Sequence, residues 1–98
     1  MAFIDGYDFT LLKNEAENLV FNELGQQLEA YTKEICTCND CVVDMAAIAL
    51  NTVKPLYRFS ILGALYTSQA MNDEAYGECV RNAVSAAIEK VRKNPSHD

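Results

Sequence analysis

Positive charge is scarce in this chain. Eight Lys and Arg residues stand against fourteen Asp and Glu, a formal net charge of −6. Neutralising nucleic-acid phosphates takes clustered basic side chains, so direct DNA binding is not expected. Long apolar runs are missing too, since none approaches the ~20 residues a helix needs to cross a bilayer. The first ten residues include Asp5, Gly6 and Asp8 and lack the basic and apolar regions of a secretory leader. A cytoplasmic protein with no membrane segment is the expectation. Histidine occurs once, as His97 beside the C-terminus, where a solvated side chain is expected rather than a base or a ligand. The four glycines are scattered, which excludes a glycine-rich phosphate cradle. No internal repeat or low-complexity segment occurs.

What is present describes one folded unit. Ninety-eight residues suffice for one domain, and half of them are hydrophobic with 22% charged, the balance of a globular chain. A domain of this size buries a modest core, so a metal or a second subunit would help it. From Asn14 to Thr32, Ala16, Leu19, Val20, Leu24, Leu28 and Tyr31 recur mostly at steps of three and four, the period of a helix. Gly25 within it costs stability relative to alanine and would let another helix approach closely. Asn39 is the candidate cap of a second helix. Its body, Cys41 to Leu50, is apolar nearly all round and predicts a central buried helix. Lys54-Pro55 ends it. Leu56 to Tyr66 fits an extended segment, a short strand or a helix equally well. Ser68 or Asn72 would cap a last long helix reaching Val91, with Lys90, Arg92 and Lys93 at the negative end of its dipole. The expected fold is all-α, a small single domain of three to five helices around a central buried one.

Residues 1–13 form an apolar arm carrying Phe3, Ile4, Tyr7, Phe9, Leu11 and Leu12. It would dock on its own core or on the second subunit of a dimer. Residues 14–95 form the helical domain, and 96–98 a frayed tail.

Cys36, Cys38 and Cys41 form C-x-C-x-x-C, and Cys79 lies far along the last helix. A reducing compartment disfavours disulfides and points to metal or thiol chemistry. Zinc in structural sites takes four tetrahedral ligands. A tight loop leading into a helix can supply three of them, and a helix packed alongside the fourth, so zinc at Cys36, Cys38, Cys41 and Cys79 is the leading reading. The spacing is not that of a standard finger. A redox pair Cys38-x-x-Cys41, an iron–sulfur cluster, and a buried core cysteine at Cys79 stand beside it. Four thiolates leave zinc no open position for water. With no other catalytic constellation, the chain reads as a non-enzyme. Asp40 and Asp44 share a helix face, but Asp40 suits a helix N-terminus and Asp44 a hydrogen bond to the cysteine loop or a neighbouring subunit.

The stretch CTCNDCVVDMAAIALNTVKPLY, Cys36 to Tyr57, resembles the late competence protein family ComFB. That pattern is C-x-C-x-x-C-x-x-D-V-x-A-L-A-L-N followed by Pro-x-Tyr. Met45 stands for the usual Val, Ile48 for Leu, and Lys54 for the first of two prolines. Asn18-Leu-Val and Ala83-Val-Ser-Ala-Ala-Ile-Glu-Lys-Val are also similar, so the likeness spans Asn14 to Pro95. The resemblance implies a small all-helical homodimer and, in some members, zinc on the three clustered cysteines plus a later one, where Cys79 falls. It also implies, for some members, a receptor for cyclic di-GMP.

Such a ligand wants Arg or Lys for its phosphates, bidentate Arg for guanine, and aromatic planes for stacking. Lys54, Tyr57, Arg58 and Phe59 are the one basic and aromatic interleaving in an acidic chain, with Arg81 and Arg92 as further candidates. Each taken singly suits a solvated charge or a core or dimer contact. The leading functional reading is a cyclic di-GMP-binding regulator with a structural zinc, signalling through a protein partner. The alternative is a zinc-stabilised adaptor dimer linked to DNA uptake, with no nucleotide. A thiol oxidoreductase is the weakest reading.

Overall fold

Apolar residues at helical spacing decide where the chain coils, and capping side chains decide where it starts. The computed structural model describes residues 2–95. His97 and the tail reading for 96–98 lie outside the described residues, as does Met1. In order come a one-turn 3-10 helix (Phe3–Gly6), β1 (Lys13–Asn14), α1 (Ala16–Ala30), α2 (Asn39–Thr52), β2 (Tyr57–Arg58), α3 (Ile61–Met71) and α4 (Glu74–Lys93). The fold is all-α apart from a two-residue antiparallel ribbon that pairs Lys13 with Arg58 and Asn14 with Tyr57.

The core is a three-helix layer in which α2 packs against α4 and α1. α2 contributes Cys41, Met45, Ala46 and Ala49, and α4 contributes Val80, Ala83, Val84, Ala87, Ile88 and Val91. The alanines on both faces keep the side chains between the two axes short. Met45, Ile88, Val20 and Val84 are the largest fully buried side chains besides Cys41, and each contributes about 1.5–3 kcal/mol by leaving water. The central place of α2 is as expected, but it is not buried all round. Val43, Asp44 and Ala47 face outward with Asn39 and Asp40.

The caps correct several boundaries. Asp73, not Ser68 or Asn72, starts α4, and its carboxylate accepts from the Ala75 amide at 3.0 Å. Lys90, Arg92 and Lys93 fill the last turn, as the dipole favours. Ser60 caps α3, its hydroxyl accepting from the Gly63 amide at 3.1 Å. Leu56–Tyr66 is therefore neither strand nor helix alone, because the chain passes from β2 into α3 within it. Cys38, not Asn39, is the residue before the first turn of α2. Gly25 faces open space, since a Cβ there would meet nothing within 4 Å. It is not a helix-crossing point within this chain.

Asn14 joins the ribbon to the core. Its side-chain oxygen accepts from the Ala16 amide at 3.2 Å and the Leu56 amide at 2.8 Å, while the Glu15 amide donates to the Leu56 carbonyl at 2.8 Å. Beyond this point the apolar residues are no longer covered. The arm does not pack on its own core: Phe3 is 76% exposed, and Ile4, Tyr7, Phe9, Leu11 and Leu12 are exposed with it. On α3, Ile61 is 84% and Leu62 78% exposed, and only Thr67 is buried. The radius of gyration is 15.7 Å, against about 13 Å for a compact 100-residue domain, and the chain measures 46 × 38 × 17 Å. It is a thin slab, too shallow for a second layer over the arm and α3.

Candidate metal centre and ligand cleft

Tyr31 ends α1, and Tyr31 to Cys38 has no regular structure before α2 begins. This loop carries Cys36 and Cys38. The first turn of α2 brings Cys41 back beneath them, with the Val42 amide donating to the Cys38 carbonyl at 3.0 Å. The three sulfurs lie within 4.8 Å of one another. Sulfur at about 2.3 Å from zinc gives a tetrahedron with edges of ~3.8 Å, so a modest contraction would seat one ion. Cys41 is buried, Cys36 half-buried and Cys38 exposed, so an ion would have one protein face and one solvent face. The positive end of the α2 dipole points at the cluster and suits a negatively charged metal–thiolate centre.

Cys79 does not join them. It sits exposed on α4 beside Thr52 and Val53, at the C-terminal end of α2. The cluster is at the N-terminal end of that helix, whose 14 residues span about 21 Å. The expected four-cysteine set is a three-cysteine set within one chain. An ion there would tie the loop to α2, not to α4. The reason is helix direction: α4 runs antiparallel to α2, so the early part of α4 meets the late part of α2.

A second polar site flanks the ribbon. A cleft of about 580 Å³ is lined by Leu12, Lys13, Asn14, Glu15, Glu17, Asn18, Tyr57 and Arg58. Tyr57 and Arg58, adjacent in sequence, both line it. Lys54 is exposed outside this lining, and its carbonyl accepts from the Tyr76 hydroxyl at 2.6 Å. Burial pushes the Tyr76 phenol up, with the nearby Cys79 adding to the shift. Arg81 lies on α4 beside α1, where its carbonyl accepts from Gln27 Nε2 at 3.0 Å. Arg92 is held by Glu89 at 2.9 Å. The six candidates thus divide, with Tyr57 and Arg58 in the cleft and Lys54, Phe59, Arg81 and Arg92 elsewhere. Lys13 was missed, because its pairing opposite Arg58 depends on strand register that the local sequence does not display. Arg58 Nε donates to Glu15 Oε1 at 2.7 Å, so part of its donor set is engaged within the chain. Phe59 lines a separate apolar hollow of about 440 Å³ with Phe3, Tyr7, Asp8, Phe9 and Leu12.

The family model described as "Late competence development protein ComFB" matches residues 13–95. The chain belongs to the ComFB family. Among solved structures, the late competence protein ComFB from Bacillus subtilis superposes with a TM-score of 0.69 at 25% identity, covering 87% of this chain and 92% of that one. No curated protein matches. ComFB is a competence family and not a known enzyme family. In this ComFB chain the cysteine cluster able to hold a metal is Cys36, Cys38 and Cys41. Among the described residues no helix is long and apolar enough to cross a membrane.

Proposed function

We propose that this ComFB chain is a zinc-stapled homodimer in the cytoplasm that binds cyclic di-GMP and passes the signal to a protein partner. The observation that carries the ligand assignment is the cleft in which Lys13, Tyr57 and Arg58 converge. It supplies two cations for phosphates and an aromatic face for a base, in a volume typical of small-molecule sites. Lys54 and Arg81 would act, if at all, from outside its lining. The uncovered arm and α3 support the dimer. Phe3, Tyr7, Phe9, Phe59 and Tyr66 alone are each about half to three-quarters exposed. At ~200 Å² per aromatic side chain, they offer on the order of 600 Å², close to the ~800 Å² per partner of a stable interface.

Isothermal titration of the metal-loaded protein with cyclic di-GMP tests the ligand, with cyclic di-AMP and GTP as controls. Saturable binding weakened by Arg58→Ala or Lys13→Ala is expected. An absence of heat at all concentrations would end the nucleotide reading. The second reading, an adaptor dimer with no nucleotide, is favoured by one observation. Glu15 and Glu17 line the same cleft, and Glu15 already holds Arg58. A silent titration with a dimer intact in solution would select it.

A further inference from the structure

One polar cluster remains outside both sites. Tyr31, the residue ending α1, donates its hydroxyl to Glu89 Oε2 on α4. Arg92, one turn further along α4, donates to the same carboxylate from Nη2 at 2.9 Å and from Nε at 3.4 Å. The Glu89 carboxyl is held down at about 2 by Arg92 and then by the Tyr31 hydroxyl, and Lys33 adds to this from the loop itself. Tyr31 is pushed up, chiefly by its bond to Glu89. Three side chains thus close one clasp between the end of α1 and the end of α4.

The clasp stands at the root of the cysteine loop. Tyr31 precedes Cys36 by five positions, and the chain between them has no regular secondary structure. Ile35 and Cys36 then pack against the core from the loop side, and Cys41 is fixed inside it by α2. One of the three thiols is therefore carried by the helix, while the other two are carried by the loop that leaves α1. A loop released at its root would have to be ordered by the ion itself, at a cost in backbone entropy.

We propose that Tyr31, Glu89 and Arg92 are positioning residues for the metal centre, clamping the root of the cysteine loop to α4 so that Cys36 and Cys38 meet Cys41 before an ion arrives. This rests on the metal reading of the cluster. It also gives α4 a part in the centre despite the distance of Cys79, through a tether in place of a ligand. Neighbours that orient metal ligands typically change affinity 10–100-fold when removed. A tether one step further out belongs at the lower end of that range.

The test compares the full chain with Tyr31→Phe, Glu89→Gln and a control, Gln27→Ala. The control cuts a different tie between α1 and α4, the Gln27 bond to the Arg81 carbonyl. Each protein is stripped, titrated with cobalt(II), followed by its thiolate charge-transfer absorption, and then challenged with a chelator. Wild type should bind one ion per chain. Tyr31→Phe and Glu89→Gln should bind it on the order of tenfold more weakly and lose it faster, with the stripped protein still folded by circular dichroism. Gln27→Ala should bind as wild type. Equal affinity in all four proteins would overturn the clamp while leaving the centre standing. An equal loss in Gln27→Ala would also overturn it, by showing that any weakening of the α1–α4 contact suffices. No thiolate absorption in wild type would overturn the centre and the clamp together.

Discussion

Ile88 on α4 and Ile61 on α3 are the same side chain on the same kind of helix, yet Ile88 is 1% exposed and Ile61 84% exposed. The difference is one of pattern. α4 sets its apolar residues at steps of three and four with charges between them, so one stripe meets α2 and the other face meets water. α3, ILGALYTSQAM, is apolar over most of its surface. It has no polar face to turn outward, and it touches chiefly β2 and α4, so most of its surface stays uncovered. The arm repeats this with Phe3, Ile4, Tyr7 and Phe9. Exposed apolar patches of this extent mark association surfaces. The core helices therefore account for the fold of one chain, and the arm with α3 is the surface that the proposed dimer would use.

The contrast can be tested in order of effect. Stripping the ion, or Cys41→Ser, should give the largest drop in melting temperature, because metal binding free energy is folding free energy. An unchanged melting curve would remove the staple from the account. Met45→Ala, at a fully buried site on α2, should cost about 2–5 kcal/mol in urea unfolding. Leu62→Ser, at an exposed site on α3, should stay within about 0.5 kcal/mol for an isolated chain, while shifting association toward monomer. If the two substitutions cost the same in the isolated chain, the division between core and periphery is wrong. Asp73→Ala should cost about 1 kcal/mol through loss of the α4 cap.

The smallest effect is with pH. Arg92 first and Tyr31 second hold Glu89 at about 2, below its ordinary 4.5. A depressed carboxyl contributes stability that is present above its unfolded value and lost as pH falls. The Glu89 share should therefore fade between about 4.5 and 2, and Glu89→Gln should flatten that limb of an acid titration. An identical acid limb in the variant would show that the clasp has no thermodynamic weight.

The helical core was legible in the sequence because its signals are local. α1 and α4 follow from apolar residues at helical spacing, α2 from its apolar run closed by Lys54-Pro55, and the end of α4 from its basic last turn. C-x-C-x-x-C at a helix start is likewise local, and the three thiols do meet. What failed depended on direction and register. Cys79 has the right chemistry on a helix stripe, but nothing local tells which end of α2 it faces. Gly25 allowed a close crossing that the neighbouring helices do not use. Lys13 became part of the cleft only through its pairing with Arg58. α3 escaped because a short, evenly apolar stretch has no period to read. In the proposed dimer, that evenness suits a surface covered from outside the chain.

Sedimentation equilibrium of the metal-loaded protein, alone and as Leu62→Ser, tests most directly whether the arm and α3 are an interface. The account predicts the mass of two chains for wild type, shifted toward one chain in the variant. A wild-type chain that stays monomeric at every concentration would contradict it.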